Sequence, residues 1–185
     1  FDISEHAINR ARSKYPAGNF RVCADDLSDV ADKHRNVSAI LFSRDVVPHQ
    51  ARPFDFMEKL ISMPSEAAIL RIRTRDQGET VLDPELSCQM VYGKWVPHMV
   101  LNIDEVVNTI KKASGVSAIF VRKRYIIEGG RNARFLPKDC YLPETGTAHT
   151  SIYIRFSDDQ DPDPEVVIEA RPETQVRASL IERGF

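Results

Sequence analysis

Carboxylates stand at two points where predicted strands end in the first part of the chain. Asp2 lies in the opening segment Phe1–Ser4. Asp25 and Asp26 follow the short run Phe20–Ala24. A carboxylate offers two acceptor oxygens to the vicinal hydroxyls of a ribose, and nucleotide-binding α/β folds place an acid at such a strand end. The alternative is structural, because aspartate is also frequent in helix caps and in turns.

A third polar segment, Ser43–His49, follows the apolar run Val37–Phe42. Side chains just beyond a central strand of a parallel sheet line the mouth of the ligand pocket. Ser43 and Arg44 would therefore border a ligand, and His49 is a candidate general base or acceptor contact. The competing interpretation of His49 is a surface-loop histidine.

Other polar and aromatic side chains have both a functional and a structural interpretation. Tyr92, Trp95 and His98 would form a lid over a pocket, or would anchor a long loop by packing. His149 and Glu144 would pair with an acceptor near the last hairpin, although ordinary loop polarity also explains both residues.

Several motifs of known chemistry are absent from the sequence. His6 and His34 do not stand at metal-ligand spacing from the carboxylates, and neither a GxSxG elbow nor a P-loop occurs. We therefore expect no metal site.

The basic run Arg122–Arg124 is typical of a solvated edge strand.

The elements that position these residues alternate in type along residues 1–76. Strands are predicted at Phe1–Ser4, Phe20–Ala24, Val37–Phe42 and Ala67–Arg73. Helices are predicted after the N-cap Ser4, over Ser28–Lys33 and over Pro53–Met63. The run Val37–Phe42 is typical of a strand covered on both faces. The alternation predicts an α/β fold, a parallel sheet with helices on both faces.

The second half of the chain changes character. The long connection 77–101 is expected to carry small elements of its own. A helix is predicted over Asp104–Ala113, and the strands Ala118–Ile127 and Ser151–Phe156 alternate as antiparallel strands do. The acidic linker Asp158–Pro164 precedes a predicted strand, Glu165–Glu169, and a predicted helix, Glu173–Arg183. We divide the chain into a domain of residues 1–156 and an extension of residues 157–185.

The overall composition limits the classes of function. The chain has 185 residues and a formal net charge of -2, which suits one domain and lacks the basic stripe of a nucleic-acid binder. Three separate cysteines, no signal peptide and no apolar run long enough to span a membrane indicate a reducing cytoplasm. Because Phe1 stands where methionine would begin a chain, we expect residues upstream.

Taken in order, these segments resemble class I S-adenosylmethionine-dependent methyltransferases from that family's second strand onward. Phe1–Ala11 is similar to the second strand and its helix, Asp25–Leu27 to the adenine-contacting acidic motif, and Val37–Ser43 to the fourth strand. The last two strands fit the family's reversed terminal hairpin. The resemblance covers residues 1–156, and its specificity lies in the order of short motifs.

A narrower resemblance concerns the acceptor. Three segments are similar to a bacterial group of methyltransferases of unknown substrate that are often encoded with surface-polysaccharide genes. They are Ile40–Ser43, Ile69–Thr74 and Trp95–Asn102. This similarity implies a small-molecule acceptor related to saccharides.

The family resemblance implies a Rossmann-like three-layer sandwich with a mostly parallel sheet, an antiparallel C-terminal hairpin, and S-adenosylmethionine as cofactor. Asp2 would hold the ribose. Ile3 and Leu27 would flank the adenine, and Asp25 or Asp26 would accept from its amino group.

The methionine half of the cofactor site departs from the family pattern. Ser43 and Arg44 would border the sulfonium, and His49 would contact the acceptor. The family's glycine-rich loop is not found, because the eight glycines form no GxGxG. We therefore expect the first βα unit, which carries that loop, to lie upstream of Phe1.

Three functions are weighed against one another. The leading hypothesis is methyl transfer to a small molecule, with no nucleic-acid or membrane partner. The rival is an inactive methyltransferase-like domain used for assembly, since a strand and helix after residue 164 would suit pairing with a second subunit in a homodimer. A Rossmann-type dehydrogenase also uses an acid after its second strand, but it needs a glycine fingerprint and lacks the antiparallel end.

Overall fold

The computed structural model describes residues 1–85, 87–91, 93–126, 135–136, 146–158 and 163–169. Its α-helices are α1 (Glu5–Lys14), α2 (Pro53–Ile61) and α3 (Ile103–Lys111). Two short 3₁₀ helices are Asp32–His34 and Val47–His49. The strands are β1 (Ser38–Arg44), β2 (Pro64–Arg75), β3 (Cys88–Val91), β4 (Lys94–Pro97), β5 (Leu101–Asn102), β6 (Val116–Ile126), β7 (Phe135–Leu136), β8 (Ala148–Phe156) and β9 (Glu165–Glu169).

One mixed sheet organises the fold. Its strands lie in the order β1-β2-β8-β6-β9, and β5 pairs with the last residues of β2. Strands β1 and β5 are parallel to β2, and β9 is parallel to β6. Since β2 and β6 are both antiparallel to β8, β8 alone runs in the opposite direction in this sheet as described. The predicted α/β class with a mostly parallel sheet is therefore confirmed.

Local sequence determines where the helices begin. The Ser4 hydroxyl accepts from the Ala7 amide at 3.2 Å, which caps α1 as predicted. The Asn102 side chain caps α3 by accepting from the Asp104 amide at 2.9 Å. Pro53 opens α2, where its missing N–H costs no hydrogen bond. The helices predicted over 53–63 and 104–113 are confirmed, each slightly shorter than expected.

The hydrophobic core lies between one face of the sheet and helices α2 and α3. Because successive strand residues point to opposite faces, every second residue of β2, β6 and β8 contributes to this core. The buried strand residues are Ala68, Leu70, Ile72, Ile119, Val121, Ile152 and Ile154. They meet apolar residues of the two helices, namely Phe56, Met57, Leu60, Val106 and Ile110.

The opposite face of the sheet, called the open face below, is exposed where the prediction expected helices. The cross-strand partners Phe42, Ile69, Tyr153, Phe120 and Val167 form one apolar row on it. Phe42 is 67% exposed, although its strand was predicted to be covered on both faces. That prediction is wrong for the described residues, because α2 and α3 cover the other face.

The beginning of the chain also differs from the prediction. Phe1–Ser4 and Phe20–Ala24 were expected to be strands, but they form a single parallel bridge between Asp2 and Val22. Ile3 is 62% exposed, so the segment is not a buried strand. A short apolar run forms a strand only when a neighbouring strand extends the pairing, and the bridge supplies one residue pair.

The helix expected over Ser28–Lys33 is replaced by turns and the 3₁₀ helix Asp32–His34. Forming the first turn of an α-helix fixes the backbone of several residues for a single hydrogen bond, which costs conformational entropy. This segment is too short for later hydrogen bonds to recover that cost.

The C-terminal strands pair as the sequence predicted. β6 and β8 are antiparallel, with Phe120 opposite Tyr153. β9, which the prediction placed in the extension, is the outer neighbour of β6 in the main sheet. The predicted helix Glu173–Arg183 lies outside the described residues.

The long connection carries β5 and the hairpin β3–β4, and this hairpin continues with β7 into a second small sheet, as expected for its length. In the described ranges, no helix combines the length and the apolar character needed to cross a bilayer.

Candidate functional site

Asp2 lies beside the turn that contains Asp25 and Asp26. In the bridge between Asp2 and Val22, the Cys23 amide donates to the Asp2 carbonyl at 3.1 Å. Asp25 is exposed three residues after Val22. One carboxylate oxygen of Asp2, Oδ1, accepts from the Ser4 amide at 2.8 Å. The same carboxylate therefore supports the start of α1, which is the structural role weighed against the ribose role.

The Asp26 turn is fixed by local bonds and by α2. Asp26 accepts from the Ser28 amide at 3.0 Å and from Lys59 Nζ at 3.0 Å. The Ser28 side chain, followed by the Ser28 amide and Lys59, holds the pKa of Asp26 below its ordinary value. Leu27 has a φ of 61° and is 6% exposed, so it packs mainly in the core. Ile3, by contrast, presents apolar surface to solvent.

The end of β1 carries an ion pair on a left-handed turn. Ser43 is buried, Arg44 is exposed, and Asp45 has a φ of 56°. The Asp45 amide donates to the Arg71 carbonyl at 2.8 Å. The Arg71 guanidinium donates to both carboxylate oxygens of Asp45, with Nε to Oδ1 at 3.0 Å. Because non-glycine residues rarely adopt a left-handed backbone, this two-point ion pair holds an uncommon conformation in place.

Arg73 and His149 form a second pair at the same edge. They are direct partners in the register of β2 and β8, and Arg73 Nη2 lies 2.7 Å from His149 Nε2. A guanidinium only donates, so His149 accepts at Nε2 and is neutral. Burial, followed by the charges of Arg73, Arg71 and Arg44, lowers the pKa of His149 to about 4, against the opposing effect of Asp45.

His49 and His98 reach this edge from the loops. His49 Nδ1 lies 2.7 Å from the Pro97 carbonyl oxygen, and its ring makes an edge-to-face contact with His98 at 5.1 Å between centroids. Since a carbonyl only accepts, Nδ1 of the exposed His49 carries a proton, and Nε2 is the acceptor in the neutral ring. Burial, followed by the charge of Arg73, lowers the pKa of His98 to about 2.

The C-terminal ends of β1 and β2, called the carboxyl edge below, therefore combine guanidinium donors with neutral imidazoles. This set of groups can hold an anion and accept a proton. Among the described residues, no group of three or more histidine, cysteine, aspartate or glutamate side chains is placed to hold a metal ion. Cys23 and Cys88 are free and buried, and burial raises the pKa of both thiols, which disfavours a thiolate nucleophile.

The predicted site residues fall into two groups. The first contains Asp2, Ile3 and the turn Asp25–Leu27. The second contains Ser43, Arg44 and His49. Within the ranges that the structure describes, no hydrogen bond or ion pair joins the two groups.

Sequence reasoning placed Arg73 among the polar residues at the strand ends but gave neither Arg71 nor Arg73 a role. Their signal is positional, because two arginines stand at alternate positions of the otherwise apolar strand segment Ile69–Thr74 and so share one face. His149 was weighed together with Glu144 as an acceptor contact. Glu144 lies outside the described residues, and within them His149 contacts Arg73. Trp95 is 47% exposed, and its proposed companion Tyr92 lies outside the described residues.

The basic run predicted for an edge strand is part of an internal strand. β6 lies between β8 and β9, so Arg122 and Lys123 are not on an edge. The side chain of Arg122 is 67% exposed, but that of Lys123 is 10% exposed and pairs with Asp76. The side chain of Arg124 is not described.

Comparison with models of known protein families finds no match for this chain, and comparison with curated protein sequences finds no significant match.

Proposed function

We propose that this chain is the larger part of a class I S-adenosylmethionine-dependent methyltransferase domain that acts on a small-molecule acceptor related to saccharides. The observation that carries the proposal is the parallel bridge between Asp2 and Val22, which sets the candidate ribose carboxylate beside the turn Asp25–Leu27. The reversed strand β8 beside β6 supports the same family's sheet. The polar carboxyl edge of β1 and β2 lies where such sheets bind ligands.

The residues present fit the adenosine half of the cofactor. Asp2 is exposed, and its oxygen Oδ2 can accept from a ribose hydroxyl while Oδ1 accepts from Ser4. Ile3 offers apolar surface for the adenine ring, and the exposed Asp25 offers an acceptor for the amino group. These residues concern the adenosine half only, since the sequence offers no GxGxG motif for the methionine end.

The chemistry needs little from the protein beyond orientation. When bound, S-adenosylmethionine would supply an electrophilic methyl group, whose bond to sulfur would break as the bond to the acceptor forms, leaving S-adenosylhomocysteine. The residues would contribute by positioning the reactants. Where the acceptor must lose a proton, His49 is the base in our proposal. Its Nε2 accepts the proton because Nδ1 donates to Pro97. Ser43 and Arg44 border the reacting groups.

The test is calorimetric titration of S-adenosylhomocysteine into the full-length protein. We expect binding, and we expect Asp2→Ala to weaken it at least tenfold, because hydrogen bonds to a charged group contribute about 1.5–3 kcal/mol each. Asp2→Asn retains the acceptor for Ser4 and should give an intermediate loss. Asp55→Ala removes an exposed carboxylate of α2 and should leave the affinity unchanged.

Two outcomes oppose the proposal. A full-length protein that is folded by circular dichroism but does not bind S-adenosylhomocysteine excludes the enzyme. Equal losses for Asp2→Ala and Asp55→Ala exclude the ribose role of Asp2.

The second candidate function is an inactive methyltransferase-like domain used for assembly. The exposed apolar row of the open face favours it, because an exposed row of large apolar side chains is typical of an interaction surface. Absence of cofactor binding in a folded full-length protein would support this function.

A further inference from the structure

Two guanidinium groups stand side by side at the carboxyl edge of the open face. Arg44 and Arg71 are direct partners in the parallel register of β1 and β2. Like charges at opposing positions in a sheet repel each other, so negative charge is needed nearby. Asp45 contacts both groups, and the three side chains together retain a single net positive charge.

The two arginines are not equivalent toward a ligand. Arg71 is held at two points by Asp45, and 31% of its side chain is exposed. Arg44 makes one longer contact to Asp45, 3.6 Å from Nε to Oδ2, and 63% of its side chain is exposed. Arg44 can therefore turn its donors to a ligand, whereas Arg71 fixes the carboxylate and adds charge.

Three guanidinium groups, those of Arg44, Arg71 and Arg73, raise the electrical potential at this edge, although the whole chain has a net charge of -2. Arg73 lies two residues beyond Arg71 on the same strand, and its partner His149 is neutral. After burial, the charges of Arg73, Arg71 and Arg44 are what lower the pKa of His149. A site with this potential attracts anions.

Apolar surface adjoins the paired arginines Arg44 and Arg71. Phe42 precedes Arg44 by two residues, so both side chains point to the open face. Phe42 is 67% exposed, and its register partner on β2 is Ile69. A ring placed on Phe42 and Ile69 would bring a substituent within reach of Arg44.

We propose that the acceptor carries an anionic group, a carboxylate or a phosphate, which Arg44 binds beside Arg71, while the ring that bears this group lies against Phe42 and Ile69. The inference rests on the proposed methyl transfer for the role of acceptor, although the anion site is testable without it. Because the methyl donor is a cation, an anionic acceptor also offsets its charge at an edge that would otherwise repel it.

Three sugars that share a pyranose ring test the charge requirement in calorimetric titrations of the full-length protein. D-glucose is neutral, D-glucuronate carries a carboxylate, and D-glucose 6-phosphate carries a phosphate. We expect at least one anionic sugar to bind about tenfold or more tightly than glucose, as charge-assisted hydrogen bonds predict. The tighter of the two identifies the anion.

Matched variants test the position. Arg44→Gln should weaken binding of the anionic sugar about tenfold or more. Arg155→Gln removes an exposed arginine from the opposite end of the same face and should have little effect. Asp45→Asn should strengthen binding, because it removes the competing carboxylate from a turn that asparagine tolerates.

The outcomes separate this inference from the proposed function. If S-adenosylhomocysteine binds but neither anionic sugar binds better than glucose, the inference is overturned and the methyltransferase proposal stands. Equal losses for Arg44→Gln and Arg155→Gln overturn it as well. If an anionic sugar binds through Arg44 and S-adenosylhomocysteine does not bind, the anion site stands and methyl transfer fails.

Discussion

Among single residues, His98 shows how neighbours decide a protonation state. The residue is 5% exposed, and burial together with the charge of Arg73 favours the neutral form. The backbone holds it there, because the His98 amide donates to the Ser87 carbonyl and the Ser87 hydroxyl donates to the His98 carbonyl, both at 2.9 Å. The neutral imidazole of His98 adds no second positive charge beside the Arg73 guanidinium.

This burial predicts a loss of stability in acid. The folded-state pKa of His98, about 2, lies below the ordinary 6.5, so the unfolded chain takes up the proton first as the pH falls. The contribution of His98 to the free energy of unfolding is therefore complete above about pH 6.5 and declines toward pH 2, by at most about 1.4 kcal/mol per pH unit.

Urea unfolding between pH 7 and pH 4 measures this effect. We expect the wild-type free energy of unfolding to fall more steeply with decreasing pH than that of His98→Gln, which has no imidazole to protonate at this position. His6→Gln removes an exposed histidine and should keep the wild-type slope. Identical slopes for all three proteins would contradict the buried neutral state of His98.

The residue pairs of the site could be predicted only in part from the sequence. Polar residues at strand ends were visible, and Ser43 and Arg44 do end β1, with Asp45 directly after it. Arg73 and His149 lie 76 residues apart in the chain, and only the register of β2 with β8 makes them partners. Register depends on long-range pairing, which local patterns do not encode.

At the scale of elements, Gly146 shows how the start of β8 depends on one glycine. Its φ is +61°, and a Cβ placed on it would collide with the side chain of Asp76. That carboxylate pairs with the poorly exposed Lys123 of β6. A residue with a side chain at this position must therefore adopt an unfavourable backbone and disturb an ion pair of the sheet.

We predict that Gly146→Ala lowers the free energy of unfolding by about 2–4 kcal/mol, from backbone strain and the loss of a partly buried pair. Gly93→Ala is the matched control, because Gly93 has a φ of +77° but nothing within 4 Å of its Cβ position. Thermal or urea unfolding should show a smaller loss for Gly93→Ala. Equal losses for the two variants would show that the contact with Asp76 contributes nothing.

Elements were predictable where short-range signals determine them. α1, α2 and α3 follow local caps and helical periodicity, and the structure has all three. The opening strands and the helix over Ser28–Lys33 were predicted wrongly, because each is short and its formation depends on neighbours elsewhere in the fold.

At the scale of the whole molecule, the sequence could predict the fold class but not which faces are covered. The apolar run of β1 has large side chains on both faces, since Leu41 packs against the core and Ile40 and Phe42 lie on the open face. Such a run shows that both faces avoid water. It does not show what covers them, since covering depends on partners that a strand does not specify.

The open face and the outer edge of β1 should make the isolated polypeptide 1–185 associate with itself. No strand within the described residues pairs with that edge, and the apolar row beside it includes Phe42, which is 67% exposed. Unpaired edges next to exposed apolar surface promote association, and a lysine on the edge strand opposes it.

We predict that the apparent mass of residues 1–185 rises with concentration in light-scattering chromatography, and that Phe42→Lys shifts the protein toward a monomer. Leu82→Lys changes an equally apolar, 49% exposed residue outside the sheet and should leave the association unchanged. A wild-type polypeptide that stays monomeric at high concentration would show that the open face does not attract a second copy.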